Sequence, residues 1–224
     1  MLIPMIIPII YGLKYKKESL FEICVITLIM AFIVILYWPF TLGFNSSANI
    51  ITKLLLFVFA PLFFLFLTFQ IRNKQRKNKL DFQLSQFGIK IEGFRKSLKL
   101  GFLFLPLMIF VTYLVKFAMG GIFNPNFILG VISFVESFTE EFFFRGILFL
   151  FLMSKTNLKI AYITSLASFI LIHPQNFTNL FIIITLVQGL ITIEICRRSK
   201  NLAGAWIVHG TNRFLSIALY PLFL

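Results

Sequence analysis

Apolar residues in this chain come in long runs set apart by short polar stretches, not in the alternation of a half-buried strand. The runs cover residues 20–38, 53–71, 98–117, 127–153, 158–173, 177–196 and 202–219. Several reach the roughly 18–20 residues that cross a hydrocarbon core as a helix. The pattern predicts an all-α fold: a polytopic transmembrane helical bundle of about seven spans in one membrane-embedded domain, residues 1–224. Residues 1–119 hold the N-terminal spans, with the polar connection 72–99, and 127–219 hold the remaining helices. The opening MLIPMIIPIIYGL is apolar but too short for an ordinary span at about 1.5 Å per residue. It is half a helix, a re-entrant piece or a short eighth span, and Pro4 and Pro8 argue against a regular helix there.

Composition agrees. Of 224 residues, 59% are hydrophobic and 31 are phenylalanine, whereas a soluble domain is nearer half apolar. A net charge of +13 would suggest nucleic acid in a soluble protein. Here the placement of the charge excludes that partner and leaves membrane lipids. Basic connections (Lys14–Lys17, 72–99, Lys155 and Lys159, Arg197–Lys200) alternate with uncharged ones, so 17 of the 21 basic residues fall on one side. The positive-inside rule makes that side cytoplasmic. An integral protein of a bacterial cell membrane is expected, its N-terminus cytoplasmic and its C-terminus outside. Phe82, Phe87, Ile91 and Phe94 have near-helical spacing, which predicts an amphipathic helix at the cytoplasmic interface. Cys24 and Cys196 give no sign of a disulfide or a cysteine metal site. No basic n-region precedes the first apolar stretch, so no signal peptide is expected.

The chemistry lies in the exceptions. TEEFFFRG, residues 139–146, sits inside an apolar run, and each charged group at a bilayer centre costs roughly 2.5–3.5 kcal/mol on insertion scales. Glu136 and Glu140 are four residues apart and share a helix face. Glu141 and Arg145 are also four apart and can pair, which leaves Glu140 free for chemistry. Glu136 extends the site or lines a wet entrance. Glu140 lies 15 residues before Lys155, His173 lies 14 after Lys159, and His209 lies nine after Lys200. At about 1.5 Å per residue these groups reach related depths, so both histidines of the chain and the carboxylate pair are expected to converge on one cavity. Glutamate with two histidines suits a hydrolytic zinc site with ligands Glu140, His173 and His209. It equally suits a metal-free glutamate base with a His and Asn oxyanion hole.

These residues carry a resemblance. EEFFFRG resembles the EExxxR motif of the CPBP intramembrane proteases, also called the Abi or CAAX-protease family. FILIH, ending at His173, resembles its FxxxH motif, and NLAGAWIVHG before Asn212 resembles its third, a histidine followed four residues later by Asn or Asp. Here Asn212 follows His209 by three and Arg213 by four. The resemblance implies hydrolysis of a peptide bond in a membrane-associated peptide or lipidated protein. It makes Glu140 the base, Glu141 with Arg145 the organisers of the site, and His173, His209 and Asn212 the groups that stabilise charge or bind metal. The alternatives are a non-catalytic bacteriocin-immunity or scaffold protein and a proton-coupled transporter. Oligomeric state is not legible.

Overall fold

A computed structural model describes residues 2–41, 46–75 and 82–219, and every regular element among them is helical. In chain order these are α1 (Ile3–Tyr15), α2 (Leu20–Thr41), α3 (Ser46–Lys53), α4 (Ala60–Gln75), α5 (Phe94–Ala118), α6 (Phe127–Glu141), α7 (Leu152–Lys155), α8 (Leu158–Leu171), α9 (Phe181–Ser199) and α10 (Ala203–Arg213). Three stretches of wider π winding continue helices without a break: Leu54–Phe59 between α3 and α4, Phe142–Phe151 between α6 and α7, and Phe214–Leu219 after α10. Each long apolar run thus becomes one helical rod. Among the described residues, two helices, Ile50–Lys74 and Phe94–Ala118, are long and apolar enough to cross a membrane. Phe102, Leu103, Phe110 and Phe117 of α5 are exposed, an apolar face that suits contact with lipid.

The rod from Phe127 to Lys155 is the centre of the fold. Every side chain from Thr139 through Leu152 is buried, as expected of a helix that is apolar all round. Rings lock it to its neighbours. Phe143 meets Phe57 edge-on at 5.5 Å, and Phe144 meets Phe169 of α8 at 5.3 Å. Asparagines start this rod and α8: the Asn126 side chain accepts from Leu129 N–H and Asn157 from Ile160 N–H, both at 3.0 Å. Each satisfies an otherwise orphaned first-turn donor.

Helix α10 is set by close approach to α5. A Cβ on Gly204 would lie 1.9 Å from the Ser97 carbonyl oxygen, and one on Gly101 would lie 2.9 Å from the Gly204 backbone. Only hydrogen at these positions lets the two backbones meet, as small residues do in membrane helix pairs. Ser97 Oγ accepts from Gly204 N–H at 2.9 Å and fixes the register.

Two expectations are corrected. Residues Ile3–Tyr15 form a regular helix despite two prolines. Pro4 lies in the first turn, where its missing N–H is lost in any case. Pro8 leaves the carbonyl of Pro4 without an intrahelical donor, and the Thr164 hydroxyl of α8 donates to that oxygen at 3.4 Å. The second correction is the amphipathic helix. Part of that segment, residues 76–81, lies outside the described residues. In the rest, Leu84–Phe87 makes one 3-10 turn, then Gly88 (φ +80°) and Gly93 (φ +75°) take the left-handed conformation, which ends a helix. Phe87 is fully buried among the rings of Phe142 and Phe151, whereas Ile91 is 91% exposed. The loop docks on the α9–α10 turn: Leu202 N–H donates to Gly88 O at 3.1 Å, and Asn201 Nδ2 donates to Lys90 O at 2.6 Å.

Candidate active site

Helix α6 presents its three glutamates to two different neighbourhoods. Glu141 faces α9 and α10. Its Oε1 lies 2.7 Å from His209 Nδ1, and its Oε2 lies 3.4 Å from Arg145 Nε. Arg145 is wholly buried. It donates through Nε and Nη2 to Thr192 Oγ1 at 2.8 and 2.5 Å, and its guanidinium lies 4.2 Å from the centroid of the Phe169 ring. The expected Glu141–Arg145 pair is present, but the shortest contact of Glu141 is with a histidine.

Glu140 is not left free. Lys53 Nζ, at the end of α3, donates to Glu140 Oε1 at 2.5 Å and also pairs with Glu136. Arg213 closes the group, with Nη2 2.6 Å from Glu136 Oε2 and Nη1 3.4 Å from Glu140 Oε1. Two carboxylates and two cations thus neutralise one another. Glu136, ambiguous in the sequence, is a member of this cluster.

The second oxygen of Glu140 points elsewhere. His173 Nε2 and His209 Nε2 each lie 3.7 Å from Oε2, which is buried and has no hydrogen-bond partner among the described residues. That distance is too long for a direct hydrogen bond and suits one water bridging the three groups. The far nitrogens of both rings are occupied. His173 Nδ1 lies 2.9 Å from the Phe169 carbonyl and His209 Nδ1 lies 2.7 Å from Glu141. Both partners are acceptors, so each Nδ1 carries a proton and each ring turns its Nε2 toward Glu140. His173 reaches this place because α8 stops just before it and Pro174 opens a 3-10 turn.

Asn212 stands apart from Glu140. It bridges α5 and α9: Thr112 Oγ1 lies 2.7 Å from its Oδ1, and its Nδ2 donates to Gln188 Oε1. Arg213, at the position the family motif gives to Asn or Asp, is the one that touches the carboxylates. A cavity of about 210 Å³ opens beside this group, lined by His173, His209, Asn212, Arg213, Gln188 and Lys116 among others. Glu140 lies behind the histidines and forms none of its lining. Lys53 is the residue the sequence reading did not place here. One signal for it exists: of the 21 basic residues, only Lys53, Lys116, Arg145 and Arg213 lie off the basic side, and all four are at the glutamates or the cavity.

A zinc ion at Glu140, His173 and His209 was one expectation. The donor types are right, and two ligands on one zinc lie within about 4.2 Å of each other. Among the described residues, however, no group of three or more His, Cys, Asp or Glu side chains is set to hold a metal ion. Lys53 and Arg213 already supply the positive charge that Glu140 would share with a metal. The residues fit a bridging water better than a dication.

Taken together, the helices and this cluster define a carboxylate–histidine centre buried in an apolar helical bundle. Residues 122–215 match the family model described as type II CAAX prenyl endopeptidase, Rce1-like. The match covers less than half of the chain, and over residues 122–215 the sequence is similar to that family. The family so described is one of endopeptidases, whose substrates are peptides or proteins. No curated protein and no solved structure matches the chain. The matched region contains α6 to α10 with every motif residue, and leaves Lys53 and Lys116 outside it.

Proposed function

We propose that the protein hydrolyses a peptide bond of a membrane-associated substrate with water activated by Glu140. The observation that supports this most is the convergence of two histidine Nε2 atoms on the unpartnered Glu140 Oε2. A water held there donates one proton to Glu140 and the other to one histidine Nε2. Its oxygen attacks the substrate carbonyl carbon. Arg213, which reaches both the carboxylates and the cavity, donates to the oxygen that becomes negative. The C–N bond then breaks as the proton held by Glu140 passes to the leaving amine. Glu141 fixes the His209 ring, and Arg145 with Thr192 fixes Glu141. Asn212 shapes the cavity wall from α10.

The seven rods are proposed as spans, with the basic connections cytoplasmic. The cavity lining comes from helix ends on the opposite side, such as Lys116, Gln175, Asn176 and Ile217, so the cavity opens outward. The immunity or scaffold reading and the transporter reading gain no support from the family match. Zinc stays as the second reading, because both histidines turn Nε2 toward the same Glu140 oxygen. Metal content of purified protein decides between the two mechanisms. Cleavage of peptides in proteoliposomes by wild type and Glu140→Gln tests the main one. The variant should be slower by a factor on the order of 10² or more, and full activity would remove Glu140 from the role of base.

A further inference from the structure

A second cavity, of about 420 Å³, opens between α2 and α4, and none of its lining residues lines the cavity beside the histidines. Its walls are apolar except for Thr68, whose hydroxyl donates to the Phe64 carbonyl at 2.7 Å. Leu28 and Phe32 of the wall are exposed, so the groove faces outward from the bundle. From Phe21 to Phe32 it follows α2 for eleven residues, about 16 Å of helix. A hydrocarbon core is roughly 30 Å thick, so the groove runs the depth of one leaflet. One end of it carries charge. Glu22 lies one turn before Val25, and Arg72 lies one turn beyond Thr68, so both stand at the end marked by Phe21 and Ile71. Arg72 Nη1 pairs with Glu22 Oε1, and Lys155 Nζ of α7 lies 3.6 Å from the same oxygen. The Lys155 ammonium also lies 5.6 and 5.0 Å from the ring centroids of Phe69 and Phe151, which helps to fix it there. These three side chains hold two cations against one carboxylate. The Glu22 side chain is 1% exposed, whereas those of Arg72 and Lys155 are 13% and 19% exposed, so the excess positive charge is the part that a ligand can reach.

We infer that this groove is a site for one anionic phospholipid of the leaflet on the basic side, with an acyl chain along α2 and α4 and the phosphate at Arg72 and Lys155. The single excess charge of the cluster matches the single charge of a phosphodiester, and guanidinium and ammonium donors suit its oxygens. A soluble anion would meet the charge and leave the groove empty. A zwitterionic lipid would fill the groove but bring its own cation to a place that already has one too many. Lys155 ends the rod that carries the glutamates, so the bound lipid would clasp α2 and α4 to that rod. The inference holds whether or not the chain cuts peptides.

The test uses the full chain, purified in detergent and stripped of lipid, with phosphatidylglycerol, phosphatidylcholine and inorganic phosphate as probes. Native mass spectrometry counts the bound lipid, and thermal unfolding reads its effect. Wild type should retain a single phosphatidylglycerol, at least about fivefold more tightly than phosphatidylcholine, the gain expected of one basic side chain at a lipid surface. Lys155→Gln leaves Glu22 paired with Arg72 and should bring that ratio toward one, and Lys155→Arg should restore it. Val25→Phe fills the groove and should lower retention of both lipids. Lys96→Gln removes an exposed charge from the same basic side and should change nothing. A ratio of one in wild type, a ratio unchanged in Lys155→Gln, an equal fall in Lys96→Gln, or stabilisation by inorganic phosphate that matches that of the lipid would each overturn the inference.

Discussion

Replacing Lys53 with methionine tests whether the four-charge cluster is a unit of stability. The side chains of Lys53, Glu136 and Glu140 are 3%, 6% and 4% exposed, so solvent screens them little. Removing one partner of a buried ion pair costs roughly 3–5 kcal/mol. Arg213 still faces both carboxylates, which places the loss near the lower end, about 3 kcal/mol. For a chain of this size that is a fall in Tm of roughly 6–12 °C. Lys53→Met with Glu136→Gln restores the balance, leaving Arg213 opposite Glu140, and should recover about 2 kcal/mol or more. Thermal unfolding in detergent, followed by tryptophan fluorescence, reads the effect. Trp206 of α10 packs on Phe134 and Phe138 of α6 and reports on that contact. A single variant as stable as wild type, or a double variant no better than the single, would refute the charge-balance argument.

Arg145→Ala should lose about 3–5 kcal/mol as well as activity, because it strands Glu141 and empties the face of Phe169; equal stability and activity would dismiss the pair. Gly204→Val should abolish or severely reduce folded yield, since its Cβ would lie 1.9 Å from a backbone oxygen; a normal gel-filtration profile would count against the α5–α10 approach. Cysteine at position 90 should resist membrane-impermeant labelling in intact cells and cysteine at position 126 should react; labelling at 90 would invert the proposed topology.

The rods and the motif residues were legible in the sequence, because apolar run length and spacing four residues apart report on a helix directly. The pairing of Glu141 with Arg145 follows from that spacing alone. What was not legible depends on partners distant in sequence. Pro8 reads as a helix breaker unless Thr164 is known to serve the carbonyl it strands. Phe82, Phe87, Ile91 and Phe94 have helical spacing, but Gly88 and Gly93 turn the backbone away and a hole among phenylalanines takes Phe87. Glu140 looked free because Lys53, 87 residues earlier, has no local pattern tying it to α6. The choice between Asn212 and Arg213 turned on α5 and α9, whose Thr112 and Gln188 hold the asparagine.

That separation along the chain has a consequence for synthesis. Lys53 leaves the ribosome 87 residues ahead of Glu140, and at about 5–20 residues per second the wait is roughly 4–17 s. During it Glu136 and Glu140 are not yet made, and on the proposed topology the flexible stem of Lys53 lets its ammonium reach the headgroups. On that topology the rod that begins at Ser46 is expected to settle to full depth when α6 arrives. The N-terminal helices wait for the C-terminal half, and a chain truncated before Glu136 should be left with a shallow, loosely inserted segment that quality-control proteases recognise.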